Sequence, residues 1–221
     1  ARILDSKRRI IDIINNYSRI SFNFGPTLLS WMERTHPEVY TAILEADRLS
    51  RKRFSGHGSA LAQAYSHLIM PLADQRDKRT QVIWGIRDFQ HRFGRFPEGM
   101  WLPETAVDLE TLETLAAEGI RFTILAPHQA ARVRLIGRGR WRDVRGSRID
   151  PKMPYLCRLP SGKQIVLFFY DGPPAQEVSF SGLLNNGEGF AHRLTGTFDS
   201  RPDPQLVHIA TDGETYGHHR R

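Results

Sequence analysis

Two carboxylates, Glu104 and Asp212, each follow a hydrophobic segment of strand length: Gly99 to Pro103 precedes Glu104, and Leu206 to Ala210 precedes Asp212. In parallel α/β folds the reactive groups gather just beyond the carboxyl ends of the strands, where the backbone is a rigid support. Gly213 lets the chain turn sharply after Asp212, so that Glu214 can face the same cleft. Pro103 restricts the backbone ahead of Glu104 and removes a competing donor. Two carboxylates facing each other are the minimum equipment for glycoside hydrolysis. In a retaining enzyme they stand about 5–5.5 Å apart, one as nucleophile and the other as acid and then base. Like charges that close keep one group ionised and the other protonated near neutral pH. Trp101, just ahead of Glu104, offers an apolar face for a sugar ring. The plainer roles remain open on residue type alone: a strand-end acid also serves as a helix N-cap, and Asp-Gly is also ordinary turn chemistry.

The elements that must position these residues can be read from periodicity and punctuation. Ile20, Phe22 and Phe24 alternate up to Gly25-Pro26, which predicts a strand. Pro26 opens a helix with Leu28, Leu29 and Met32 on its buried side, and Pro37 opens another with Val39, Ile43, Leu44 and Ala46. Gly56 and Gly58 break the chain, a short helix is expected from about Ser59, and His67 lies just past it. Asp74 to Phe93 reads as a long amphipathic helix carrying Val82, Ile83, Ile86 and Phe89, ended by Gly94. Gly99 to Leu102 is a short strand. Asp108 to Glu118 is a helix with Leu109, Leu112 and Leu115 on one side, and Phe122 to Ala126 is a buried strand. This strand–helix–strand order argues for parallel pairing through a crossover. Tyr155–Leu159 and Gln164–Tyr170 form a hairpin or adjacent strands, Glu177–Leu184 and Phe190–Leu194 are helical, and Leu206–Ala210 is a last buried strand. The alternation implies an α/β barrel or an open parallel sheet.

Composition narrows the class. The 221 residues are 40% hydrophobic and 25% charged, enough apolar side chain for a true core and too much for a disordered chain. No apolar run approaches the ~20 residues of a membrane span. Cys157 is the only cysteine, so no intramolecular disulfide can form, and a reducing, cytoplasmic setting is expected. The net charge is +7. Its densest stretch, Arg132 to Arg148, contains a single aromatic, Trp141, whereas single-stranded nucleic acid asks for interleaved stacking residues. A solvated basic loop is the expected reading, with neither a nucleic-acid nor a membrane partner.

Trp101-Leu102-Pro103-Glu104 and Asp212-Gly213-Glu214-Thr215-Tyr216-Gly217 resemble the third and fourth motifs of glycoside hydrolase family 57, the retaining enzymes of α-glucans. Phe22-Asn23-Phe24-Gly25-Pro26 and Tyr65-Ser66-His67-Leu68-Ile69-Met70-Pro71-Leu72 also resemble family segments, the latter near its second motif. The resemblance implies a (β/α)7 barrel, with Glu104 as nucleophile, Asp212 as general acid/base, and Trp101, His67 and Glu214 lining the subsites. It implies an α-glucan or maltooligosaccharide as substrate, and no metal or organic cofactor. The family's first motif, of His-Gln-Pro type, is absent, and its fifth is expected beyond Arg221. Residues 1–221 are therefore expected to form part of one catalytic barrel domain that lacks its first strand and its C-terminal region.

Two other readings stand beside this one. A metal-dependent deacetylase, also an α/β barrel, would gather an Asp and two His around zinc. His218 and His219 after Asp212, with His57, His67 and His208, are the candidates. A carbohydrate-binding barrel that has lost turnover is the non-enzymatic alternative. His208, inside an apolar segment, has the ordinary role of a satisfied core histidine.

Overall fold

Pro26 and Pro37 each take the first position of a helix, where the missing N–H costs nothing and the fixed φ suits the first turn. They start α1 (Pro26–Thr35) and α2 (Pro37–Arg53). In this computed structural model, which describes residues 2–216, the chain divides into two compact units, Ala1–Arg121 with Leu159–Lys163, and Phe122–Arg158 with Gln164–Arg221.

The first unit opens with an exposed antiparallel pair, β1 (Arg2–Leu4) and β2 (Ile10–Ile13), and continues through α1 and α2. It then contains β3 (Ala62–Gln63), α3 (Gln75–Phe93), β4 (Met100–Trp101) and α4 (Leu109–Ala117). β3 and β4 pair in parallel, Ala62 with Met100 and Gln63 with Trp101. Gly94 ends α3 in the left-handed conformation, as expected, while Asp74 and Asp108, read as first helical residues, are N-caps: Asp74 accepts from Asp77 N at 2.8 Å and Asp108 from Thr111 N at 2.8 Å. The core collects Phe22, Leu29, Met32, Ile43, Val82, Ile86, Phe89, Met100, Leu102, Leu112 and Leu115.

Two features tighten this core around β3. Arg95 donates to both oxygens of Asp47, at 2.7 and 2.9 Å, and to the carbonyl of Ala60, while Ala60 N donates to Asp47. Stranding either partner of so buried a pair costs about 3–5 kcal/mol. At Gly85, an added Cβ would run into the backbone carbonyl of Gln63. Helix α3 therefore rests on β3 at a separation that only glycine permits. Gly85→Ala is expected to destabilise the protein by about 1–3 kcal/mol, read as a lower urea or thermal midpoint.

The second unit holds β5 (Phe122–Leu125), β6 (Arg132–Val133), β7 (Arg142–Asp143), β8 (Tyr155–Arg158) and β9 (Gln164–Phe169), then α5 (Gly172–Phe180) and α6 (Gly187–Thr195). β9 pairs in parallel with β5 and antiparallel with β8, so the adjacent-strand reading of 155–170 holds. β6 and β7 form a small hairpin in the arginine-rich stretch, where the Arg134 guanidinium covers the Trp141 ring at 4.7 Å. Leu125, Val144, Ile149, Ile165, Phe169, Ala175 and Val178 are buried.

Several expectations need correction. The α/β class stands, but the described residues form four separate sheets and do not close a barrel. The physical reason is that strand-like runs gained few ladder bonds: Phe22 makes a single parallel bridge to Ala60, and Leu206–Ala210 carries no strand. The parallel partners are β3 with β4 and β5 with β9, so the crossover through α4 does not pair the strands on either side of it. The helix expected from Ser59 is instead the extended approach to β3. Leu28, Val39 and Leu109 sit on exposed helix surface rather than in the core. α5 begins at Gly172, five positions earlier than expected by the count of its bounds, because Pro173 and Pro174 suit a first turn. No helix among the described residues is long and apolar enough to cross a membrane.

Candidate active site

β4 delivers Glu104. After Trp101 the chain passes Leu102, fully buried, and Pro103 into a tight turn, Pro103–Thr105. Glu104 and Thr105 both take positive φ, 54° and 52°, a conformation that strains any residue with a Cβ. Strain of this kind survives where the surroundings over-determine the backbone, and it clusters at functional sites. Here Leu102 and Thr105 are buried on either side while the Glu104 carboxylate stays open, its side chain 72% exposed.

β3, the parallel neighbour of β4, delivers His67 by the same logic. The chain leaves β3 through buried Ala64 and half-buried Tyr65, and His67 also adopts positive φ, 54°. Its Nε2 stands 3.4 Å from Glu104 Oε1. Two residues singled out in the sequence, 37 positions apart, therefore meet beyond the carboxyl ends of two adjacent parallel strands. Trp101, half-buried, lies in the strand that leads to them, opposite Gln63. Gln63 is itself buried and accepts from Asn23 Nδ2 at 2.6 Å.

Asp212 and Glu214 belong to the second unit. Asp212 precedes a 3-10 turn, Gly213–Thr215, and makes no side-chain cap bond; both carboxylates are exposed. The turn is closed by a hydrogen bond of 2.8 Å between the hydroxyls of Thr211 and Tyr216. Just after β9, the Asp171 N–H donates to the His208 carbonyl at 2.9 Å, which ties the segment leading to Asp212 to the end of that strand. Burial, and then the Asp212 charge, raise the Tyr170 hydroxyl above its usual value. Burial also raises the Asp171 carboxyl, with Arg193 opposing it. His208 packs edge-on against Phe168, and burial lowers its imidazole. It is not the satisfied core histidine expected, since its Nε2 is buried with no hydrogen-bond partner among the described residues. His218 and His219, which a zinc reading requires, lie outside the described residues, as does Gly217.

Sequence reasoning missed the residues that support this arrangement. Lys78 on α3 is 1% exposed and donates to Asp108 at 2.7 Å and Glu110 at 2.5 Å. Burial pulls its ammonium down, and the two carboxylates more than offset this, leaving it above the usual lysine value. Gln81, also on α3, accepts from Ser66 N at 2.7 Å through Oε1, and its carbonyl accepts from Tyr65 N at 3.3 Å. A signal for Lys78 was available: it falls on the same helical stripe as Val82, Ile86 and Phe89, and a charge on an apolar stripe calls for a buried partner.

Comparison with known proteins makes the family explicit. The sequence profile of Glycosyl hydrolase family 57 matches residues 2–221, and the chain belongs to that family. Alpha-amylase 1 of Dictyoglomus thermophilum is 27% identical over 107 residues, which is 48% of this chain and 15% of the amylase. The 4-alpha-glucanotransferase of Thermococcus litoralis superposes with a TM-score of 0.64 at 19% identity, over 91% of this chain and 28% of that one. An exo-type maltose-forming amylase from Pyrococcus sp. ST04 gives 0.67 at 18% identity, over 91% and 32%. At these identities the structures attest the fold, and the chain spans under a third of their length.

Proposed function

We propose that this chain carries the catalytic carboxylates of a retaining glycosidase or transglycosylase acting on α-glucans. The observation that carries the reading is Glu104, held in a strained turn at the end of β4 with its carboxylate open and His67 at 3.4 Å. Glu104 attacks the anomeric carbon while Asp212 gives its proton to the glycosidic oxygen, which leaves with the aglycone. A covalent glycosyl ester on Glu104 results. Asp212, now a carboxylate, takes a proton from water or from a sugar hydroxyl, whose oxygen attacks the anomeric carbon and releases Glu104. Family membership supports a glucan of α-linked glucose, a maltooligosaccharide in the simplest case. Trp101, His67 and Glu214 line the subsites, and the reaction needs no cofactor. Water exclusion and the acceptor subsites decide between hydrolysis and transfer.

Two displacements at one carbon return the original anomeric configuration. The test is proton NMR of the first-formed products from maltooligosaccharides with the full-length protein, together with peptide mapping after treatment with a fluorinated glycosyl donor. The α-anomer is expected first, and the label on Glu104. Formation of the β-anomer first, or a label on another residue, overturns the assignment.

A further inference from the structure

Lys78 and Gln81 lie one turn apart on α3, and each holds a different strand-end loop. Gln81 binds Tyr65 and Ser66, the two residues before His67. Lys78 binds Asp108 and Glu110, which begin the helix that follows the Glu104 turn. Asp108 is at once the N-cap of α4, accepting from the Thr111 N–H and hydroxyl, so the ion pair fixes the start of the helix as well as the chain entering it. Both loops contain a non-glycine residue at positive φ, His67 on one and Glu104 on the other, and each gains conformational freedom if its anchor is released. Gly85, one turn further along α3, keeps the helix against β3.

We propose that Lys78 and Gln81 are positioning residues for the reaction: helix α3, anchored through them to the two loops, sets the separation at which His67 faces Glu104. The inference rests on Glu104 being the nucleophile. An ion pair that only stabilises the fold would change the melting temperature and leave each folded molecule as active as before. A brace behaves differently, because a displacement of about 1 Å at a reacting group can cost a hundredfold in rate.

The experiment measures the rate of Glu104 labelling by a fluorinated glycosyl donor, with kcat and KM on maltooligosaccharides and a melting temperature, for variants of the full-length protein. Gln81→Ala is expected to slow labelling and kcat about tenfold with KM within about twofold, and Gln81→Glu, which keeps the acceptor for Ser66 N, to restore most of the rate. Lys78→Met is expected to slow labelling by about 10- to 100-fold per folded molecule, and Lys78→Arg by less. Where Lys78→Met fails to fold, Lys78→Arg and the Gln81 pair decide. Folded variants that label at the wild-type rate, or a Gln81→Glu variant as slow as Gln81→Ala, overturn the brace. Labelling of the wild-type protein at a residue other than Glu104 is a different failure: it removes the nucleophile assignment, and the brace falls with it.

Discussion

Replacing Glu104 with glutamine is expected to lower turnover of maltooligosaccharides by about 10⁴-fold or more, because a neutral amide cannot form the glycosyl ester on which both displacements depend. The loss is not expected to come from unfolding. The Glu104 side chain is 72% exposed, and the side-chain contact it forms is the 3.4 Å approach of His67. Glu104→Gly sharpens the point. It removes the carboxylate and also relieves the positive φ, which costs an L residue roughly 1–2 kcal/mol and a glycine almost nothing. This variant is expected to be inactive and at least as stable as the parent, checked by thermal denaturation beside the activity assay. Stability gained with activity lost is the mark of a strained residue kept for function. A glycine variant that is both inactive and markedly less stable would assign Glu104 a structural role instead.

Asp212→Asn is expected to cost about 10²–10⁴-fold on a natural glucan, since protonation of the leaving oxygen and deprotonation of the acceptor both pass through this group. The two steps separate with a substrate whose leaving group needs no proton, such as a glycosyl fluoride. There the first step survives and the second becomes limiting, so a burst followed by slow turnover is expected. Added azide, a nucleophile that needs no general base, should restore the second step. Equal slowing of both substrates with no azide rescue would show that Asp212 does not move protons.

The sequence foretold most where a residue's covalent constraints act locally. Pro26, Pro37, Asp74, Asp108 and Gly94 each appear at the helix end where their backbone or side chain belongs, because a cap is decided within one turn. It foretold less where ladders decide the outcome. Leu206–Ala210 is as apolar as β5, but a strand is defined by its neighbour's hydrogen bonds, and no periodicity supplies the neighbour. Of the site, Glu104 was legible as an acid at a strand end and His67 only as a histidine after an expected helix; their approach was not legible, because it depends on two loops folded back onto α3. Lys78 and Gln81 went unread for the same reason. Their partners lie 15 to 32 positions away, and polar residues on a helix look alike until one of them is found buried.

If Glu104 and Asp212 act on one sugar ring, as proposed, the separation of their carboxyl groups must show it. A crystal structure of the full-length protein with a fluorinated glucosyl group trapped on it gives that distance. An ester on Glu104 is expected, with the Asp212 carboxyl about 5–5.5 Å from it, on the side of the departing oxygen. An Asp212 carboxyl well beyond about 9.5 Å, or turned into a separate crevice, would contradict it.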